Sequence, residues 1–452
     1  MIDVPSFLSC CATATSDFPS GVRQRICYAY PPYLKAFRPV PQSDPGLPAS
    51  SVSPYVTLPS PSNSSSSATA AAVAPAPALP PASAIPAPPP PPPSPVRFPL
   101  DWILANAAPP IRYRALTEVA RMTAADAEKV SALPFTHKPA VLLAVQQAPD
   151  GTWGGGMLSV PSTRAEHFEG VGTIPAVRRL MEWGWNKDTP PLVHARRILF
   201  RLLAEDDDPS FLFELAGKHA PDEDAVRRGR SLLREAAAAA LAQAGYEGDP
   251  RLRGAARRIL TRMADYLRSP LAQKPFIRQG NQHMLAAEAC PPSIYAVAML
   301  AYMPLFRAEH HREMDALYQH LTQPQPRQEG VQLCGKQVLP VPHLVLGDYL
   351  PHRNALDADV PFALYWLELM ARLGFLKRNE NWSKLFERCL EDRDREGIWH
   401  PHKGMSVART TSAHAWATYP LEEQHAGEER WTDITFRLGL IARLTGRTIE
   451  II

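Results

Sequence analysis

The sequence predicts an all-α fold for residues 99–452, a closed (α/α)6 toroid of six helical hairpins, preceded by a disordered Pro/Ala/Ser-rich tail over residues 1–98. Three observations predict it. Proline, alanine and serine dominate the chain before residue 99, and beyond it apolar residues recur at helical spacing. A helical hairpin also returns about every sixty residues, which is typical of a repeat architecture.

The tail contains a serine tract at 62–67, an Ala/Pro stretch at 68–88 and a proline run at 88–93. Because it has few large apolar side chains, burial cannot offset the entropy lost on ordering. The proline run should form a stiff polyproline II rod, which gives the tail a means to bind other proteins. The other residues, about 350, are enough for one large core.

Bulk properties narrow the expected location and partners. The net charge is +3 and charges of both signs are interspersed, so nucleic acid is not an expected partner. The six cysteines form no Cys-x-x-Cys pair, which predicts a reducing, cytoplasmic location. No apolar run reaches the length of a membrane span and no secretory signal is evident, although peripheral membrane contact stays open. No cofactor is expected.

Each predicted hairpin has a first helix closed by a glycine and a capped second helix. The closing glycines of the clearest copies are Gly184, Gly245 and Gly374, and the residues expected to cap their second helices are Asp188, Asp249 and Asn379. Pro304 marks a degenerate copy. First helices at 111–122 and 431–445 complete six, and Leu100–Asn106 could fill the gap where the last hairpin has no second helix.

The connections are short on one side of the hairpins and long on the other. Turns within hairpins take about one to six residues, as helix–helix connections usually do. The long returns span residues 149–169, 205–224, 268–291, 323–360 and 393–430 and carry most of the histidines. All long returns should emerge on one face, which predicts a binding site there.

A short motif links one hairpin to the next. In Gln147-Ala-Pro-Asp-Gly151-Thr-Trp153, Gln147 ends a helix, Gly151 makes a turn that needs positive φ, and Trp153 folds back on the helix end. A diverged copy, Arg393-Asp-Arg-Glu-Gly397-Ile-Trp399, has arginine where glutamine stood. Both copies follow a second helix.

These segments resemble the Q-x-x-x-G-x-W repeat of squalene and hopene cyclases, and the likeness to prenyltransferase and squalene-oxidase repeat proteins covers roughly residues 99–452. Ile111-Arg-Tyr-Arg-Ala-Leu resembles the opening of an uncharacterised bacterial branch of them. The resemblance implies a terpenoid cyclase or prenyltransferase with an apolar central cavity. The expected ligand is then an isoprenoid or another lipid.

The resemblance also implies catalytic residues at Asp357 and Asp359. Cyclases that begin by protonation use D-x-D-D, whose middle Asp must stay protonated to act as the acid. Here the segment is Asp357-Ala-Asp359-Val360, so the partner that would tune Asp359 is missing. The alternative is that one of the two aspartates caps the helix that begins near Pro361.

Ligand-binding residues are predicted on the long-return face. They are His167, Arg278, Asn281, His283, His343, His400, His414 and Trp416. Since the N-termini of the first helices point there, that face suits an anionic head group with an apolar tail. Aromatic residues near the first helices either stabilise a carbocation or fill a core, and these are Trp183, Tyr295, Tyr302, Tyr365, Trp366, Trp416 and Trp431.

No metal site is predicted. The Asp-x-Cys pair that binds zinc in protein prenyltransferases is absent. The candidate ligands Cys290, Cys334, His343, His400 and His402 do not follow zinc spacing. The acidic run 206–208 is followed by Pro209 and is interpreted as a solvated helix end.

Three functions remain open from the sequence. The first is an isoprenoid-binding or isoprenoid-converting enzyme of the terpenoid class. The second is a non-catalytic toroid that binds a lipid, peptide or protein partner on the long-return face. The third is a carbohydrate-active (α/α)6 enzyme with paired carboxylates, for which Glu166, Glu169, Glu288 and Asp348 are available.

Overall fold

Helices make up most of the computed structural model, so the expected mostly helical fold is confirmed. The structure describes residues 94–154, 156–162, 165, 167–204, 223–280, 282–326, 330–334, 337–401, 407, 412–422 and 431–452. The predicted disordered tail up to residue 93 lies outside these ranges, as do Glu166, the acidic run 206–208, Asn281 and His402.

The first helices of the hairpins lie where the repeat predicts them. In chain order they are α2 (Pro109–Arg114), continued by a π-helical turn (Ala115–Val119), α5 (Thr173–Glu182), α7 (Glu223–Gln243), α9 (Ile294–Ala301), α13 (Val360–Leu373) and α15 (Thr432–Leu444). Three of them end at the expected glycines, Gly184, Gly245 and Gly374, whose φ angles are +83°, +82° and +76°. Glycine reaches this conformation without the steric cost that a Cβ would add.

The second helices follow after tight turns. They are α3 (Ala124–Val130) with α4 (Lys138–Val145), α6 (Pro190–Leu202), α8 (Pro250–Arg268), α11 (His311–Leu321) and α14 (Glu380–Glu391). Asp249 caps α8 by accepting from Arg251 N at 2.9 Å, and Asn379 caps α14 by accepting from Trp382 N at 3.0 Å. Thr189, rather than the expected Asp188, precedes α6. The remaining helices are short: α1 (Leu100–Asn106), α10 (Pro304–Ala308) and α12 (Ala355–Ala358).

The first helices contact one another in chain order. α5 packs on α7, α7 on α9, α9 on α13 and α13 on α15, and α15 packs in turn on α2 and its π-helical turn. α2 meets α5 through Arg114, which donates to the carboxylate of Glu182 at 2.7 Å. The sequence of contacts therefore returns to its start. α1 packs on α15 and α2, at the place where the last hairpin lacks a second helix.

The two sets of helices differ in burial. Every residue of α9 and every residue of α15 from Thr432 to Ala442 is buried, so these first helices are enclosed by protein on all sides. α8 buries one stripe, which includes Leu252, Ala255 and Ile259, and exposes the opposite face. Within the described ranges, none of the helices has both the length and the apolar composition that crossing a bilayer requires.

Short strands correct the expectation of an all-α fold. A four-stranded sheet lies in two of the long returns, with β2 (Phe276–Gln279), β3 (Gln282–Leu285), β4 (Val331–Cys334) and β5 (Gln337–Pro340) in that order. β2 pairs with β3, and β4 with β5, in antiparallel register. The strands are only four residues long, too short for an alternating pattern to stand out in the sequence.

A second, two-stranded sheet joins distant parts of the chain. β1 (Val96–Phe98) runs parallel to β6 (Ile449–Ile451), and Val96 pairs with Ile449. The sequence predicts Val96–Phe98 in the disordered tail, yet Val96 and Phe98 are both buried. β1 also packs on α15.

Candidate functional site

Asp357 and Asp359, the predicted catalytic pair, lie at the start of α13. Asp359 Oδ1 accepts from Phe362 N at 3.0 Å, which makes it the N-cap of that helix. Asp357 accepts from Arg388 on α14 at 2.7 Å and 2.9 Å. Asp359 is therefore the helix cap that the alternative interpretation expects, and Asp357 is the partner of an arginine.

The motif residues Gln147, Gly151 and Trp153 tie α4 to α5 and α6. Trp153 is fully buried, and its Nε1 donates to Leu143 O at 2.7 Å. The Gln147 amide donates to Gly151 O at 3.0 Å and to Pro191 O in α6 at 2.8 Å. Gly151 has φ +91°, and a Cβ there would approach a backbone oxygen of α6 to 3.0 Å.

The diverged copy at Gly397 and Trp399 repeats this geometry. Trp399 N donates to Thr435 Oγ1 at 3.0 Å, just as Trp153 N donates to Thr173 Oγ1 at 3.1 Å. Gly397 has φ +79°, and a Cβ there would lie 3.0 Å from the carbonyl oxygen of Arg97 in β1. Strand β1 therefore takes the position at this copy that helix α6 takes at the first.

Several predicted ligand-binding residues are dispersed over the long returns. Arg278 and His283 are cross-strand neighbours in the β2–β3 hairpin and both are exposed. Arg278 Nε donates to Gly280 O at 3.1 Å. His400 is partly exposed directly after Trp399. These three residues have no hydrogen bond or ion pair with one another in the described part of the chain.

His167 is exposed, and Phe168, the next residue, lies near Trp416. The ring of Phe168 packs edge-on against Trp183 at 5.7 Å and Trp416 at 6.4 Å between centroids. The guanidinium of Arg179 lies 4.5 Å from the centroid of Trp416 and 5.2 Å from that of Trp183. A cation of the protein itself therefore occupies the aromatic faces that the sequence assigns to a ligand.

His343 and His414 do come together, at the start of α9. His414 Nδ1 lies 3.2 Å from the hydroxyl of Tyr295, and its ring bonds the backbone of Pro342. Burial lowers the pKa of His343 to about 4. Burial, together with His343 and Arg178, lowers the pKa of His414 to about 3. Both imidazoles are therefore neutral at pH 7, and both are partly exposed.

Arg178 of α5 lies beneath these histidines. Its Nε donates to Gln243 Oε1 at 3.1 Å, Nη2 donates to the Tyr365 hydroxyl at 3.2 Å, and Nη1 donates to His414 O at 3.4 Å. Together with Tyr295 and His343, these residues form a group that we call the Arg178 cluster. Its members come from α5, α7, α9, α13 and two long returns.

Charged side chains of four first helices, α2, α5, α13 and α15, meet around Glu182, one helical turn after Arg178. Glu182 accepts from Arg114 at 2.7 Å and from Arg437 at 3.0 Å. Glu368 accepts from Arg437 at 2.5 Å and from Arg372 at 2.8 Å. The side chains of Arg114, Glu182, Glu368 and Arg437 are at most 6% exposed. We call these five residues the axial network.

The arginines keep both glutamates of the axial network ionised. Burial alone raises the pKa of Glu182, but the charges of Arg114 and Arg437 outweigh it and hold this pKa at about 2. Burial also raises the pKa of Glu368, but the charges of Arg437 and Arg372 outweigh burial and lower this pKa below its usual value. Both glutamates therefore stabilise the folded protein at pH values above about 4.3, the pKa of glutamate in the unfolded chain. This stabilisation is lost as the pH falls below that value.

Two other carboxyl groups, Asp433 and Glu422, have the opposite behaviour. Burial raises the pKa of Asp433 to about 6 despite hydrogen bonds from the backbone. Burial also raises the pKa of Glu422 to about 8, and the neighbouring Asp433 adds to the effect. Asp433 borders a cavity of about 10 Å³ with Tyr365, Tyr419 and Arg437. Such a volume holds about one water molecule.

The titration of Asp433 and Glu422 should appear in the free energy of unfolding when it is measured as a function of pH. Their folded pKa values are raised, so the stability they contribute is complete below pH about 4 and is lost as the pH rises through 6 and then 8. Each group should reduce the free energy of unfolding by about 1.4 kcal/mol per pH unit within its window. Glu422→Gln should flatten the fall between pH 6 and 8, and a wild-type slope in that variant would contradict the assignment.

The remaining candidate carboxylates are spread over the described residues. Glu169 is exposed, while Asp348 is buried and accepts from Trp382 Nε1 at 2.9 Å and Leu350 N at 2.8 Å. Glu288 lines a separate groove of about 660 Å³ beside α8, with Cys290. Across the described ranges, no three His, Cys, Asp or Glu side chains are grouped in a way that could hold a metal ion.

Sequence reasoning missed Arg178 and the axial network. The available signal was a charged pair spaced four residues apart within an apolar helix. Such pairs occur at Arg178–Glu182, Glu368–Arg372 and Asp433–Arg437.

Comparison with protein-family models, with curated proteins and with solved structures finds no match to this chain.

Proposed function

We propose that the first helices line an (α/α)6 toroid and that this toroid is a non-catalytic binding module, with the Arg178 cluster as its ligand site. Support for the toroid comes from the contacts of the first helices, which return to their start. It also comes from side chains that meet across the interior. Arg178 Nη2 in α5 lies 3.2 Å from the Tyr365 hydroxyl in α13, although two other first helices, α7 and α9, come between them in the chain.

The axial network is the observation that carries the choice of a binding module. An isoprenoid chain running through the centre would have to displace buried ion pairs such as Glu182–Arg437, which would leave charges without partners. The cavity beside Arg437 has a volume of only about 10 Å³. A ligand therefore fits better at the long-return end, where His343 and His414 are partly exposed.

The terpenoid enzyme remains the second candidate because of Asp433. A buried carboxyl with a pKa of about 6 can keep a proton for general-acid chemistry near neutral pH. Against this, Asp433 accepts from Ile434 N at 2.9 Å and from Leu421 N at 3.4 Å, so both oxygens already have donors. A substrate would also require more space than the adjacent cavity offers.

Ligand-observed NMR with a library of small fragments tests the binding module. Wild-type protein should bind fragments that compete with one another, and His414→Phe should lose them because the ring no longer bonds Tyr295. His400→Phe is the matched control, since His400 is partly exposed but lies outside the cluster. Hits that survive His414→Phe, or the absence of hits, would overturn the proposal. A polyprenyl species retained in native mass spectrometry would favour the terpenoid enzyme.

A further inference from the structure

Arg178 is a buried cation whose partners are all neutral. It is 3% exposed, and its acceptors are an amide oxygen, a phenol and a backbone carbonyl, from Gln243, Tyr365 and His414. Its guanidinium also lies 5.7 Å from the centroid of the Tyr365 ring. Among the described residues, no carboxylate lies within ion-pair distance of Arg178.

The arginines of the axial network, in contrast to Arg178, pair directly with carboxylates. Arg114 pairs with Glu182 and Glu118, Arg437 with Glu182 and Glu368, and Arg372 with Glu368. Counted together with Glu118, the axial network has three cations and three carboxylates and is balanced. A buried charge without a counter-ion is costly, so the neutral partners of Arg178 require a reason.

Within the described ranges, Arg178 contacts no carboxylate directly, and its acceptor Gln243 donates in turn to Glu182 at 2.7 Å. A guanidinium stays protonated in proteins, and the phenols of Tyr365 and Tyr302 raise the pKa of Arg178 although burial opposes the charge. His343 and His414 are neutral at pH 7 because burial lowers both pKa values. The cluster therefore carries one unit of positive charge.

Donors also remain available. A guanidinium has five N–H groups, and Arg178 uses three of them, one on each nitrogen. One N–H remains on Nη1 and one on Nη2, and each can donate to a further acceptor such as a carboxylate oxygen. Of the other members of the cluster, His343 and His414 are partly exposed, and His414 lies against the buried Tyr295.

We propose that the Arg178 cluster binds the carboxylate group of a small molecule or of a peptide, with the Arg178 guanidinium as its counter-ion. The proposal rests on the binding function proposed above and names its ligand class. One positive charge matches a carboxylate, whereas a phosphate ester carries nearly two negative charges and would leave an excess buried. Phosphate is therefore expected to bind more weakly.

Thermal unfolding of the full chain at pH 7 tests this with sodium acetate as the probe and sodium chloride at equal ionic strength as the reference. A ligand that binds only the folded state raises the melting temperature in a saturable way. Acetate should do so for the wild type, and inorganic phosphate should do so less. Arg178→Met should abolish the acetate response. Arg307→Met is the matched control, because Arg307 also donates to backbone carbonyls but lies outside the cluster.

A second variant keeps the test decisive if Arg178→Met folds poorly. Tyr365→Phe retains the charge and removes one hydroxyl, so it should fold and weaken the acetate response several-fold. An acetate response that is equal in wild type and both cluster variants overturns the carboxylate proposal. If fragments still bind at His414 in that case, the binding module stands and only its ligand class is wrong.

Discussion

Arg437→Met is expected to lower the free energy of unfolding by about 3–5 kcal/mol, because it takes a partner from two buried carboxylates at once. Glu182 would lose a hydrogen bond of 3.0 Å and Glu368 one of 2.5 Å, and both side chains are almost inaccessible to water. The methionine side chain can fill much of the space but cannot compensate either charge. Urea unfolding followed by circular dichroism at pH 7 measures the loss.

Arg268→Met on α8 is the control for that measurement. The Arg268 side chain is 62% exposed and pairs with Asp265 and Glu313 at the surface, where such pairs contribute about 1 kcal/mol at most. The same chemical change is thus compared in a buried and a solvated setting. Equal losses at the two positions would show that the axial network does not stabilise the fold.

Trp153→Ala is expected to cost about 3–5 kcal/mol, the usual range for removing a fully buried aromatic ring. The ring is 0% exposed, and its indole N–H satisfies the carbonyl of Leu143 at the end of α4. Truncation would leave a cavity and an acceptor without its donor. The loss should appear in the midpoint of thermal or urea unfolding.

Two further tryptophans test the explanation. Trp399→Ala should behave like Trp153→Ala, because Trp399 is buried in the second copy of the same turn. Trp102→Ala should cost clearly less, since Trp102 on α1 is only partly buried. A loss at Trp102 as large as that at Trp153 would mean that ring size, and not the motif, decides the stability.

The helical hairpins could be predicted because their signals are local. The turn at Gly374 needs a residue with positive φ, and the cap at Asn379 needs a short side-chain acceptor. Each requirement involves residues a few positions apart, so it is written in a short stretch of sequence. The same holds for the motif of Gln147 and Trp153, whose contacts include the helix directly before it.

The strands and the interior were harder to predict. A strand such as β2 is stable only beside β3, and four residues carry too little pattern to distinguish a strand from a loop. For the interior, a charged pair such as Arg178–Glu182 is typical of a solvated helix face. Partners that lie far away in the sequence, such as Arg437 and Gln243, reveal that this face is buried.

His343 and His414 were both expected to bind a ligand, and this stays a prediction. In the structure the two histidines lie near one another, and His414 lies beside Tyr295. The chemistry beneath them was not expected, because a carbonyl or phenol partner leaves no signature in sequence spacing. Asp359 was proposed from a family motif, yet its contact with Phe362 N is one that any N-cap makes. A motif match with a missing member therefore carries little weight against a local structural explanation.

The pairing of β1 with β6 has a consequence for how the chain is made. Ribosomes deliver a protein from its amino end, so Val96–Phe98 emerges long before Ile449–Ile451, its partner. The hairpins in between can form as they appear, but the first and last strands meet only when nearly the whole unit has been synthesised. Closure then links residues about 350 positions apart, which adds loop entropy to the final step. Until then, Phe98 and α15 do not pack against each other, and the nascent chain exposes the surface that the folded protein buries.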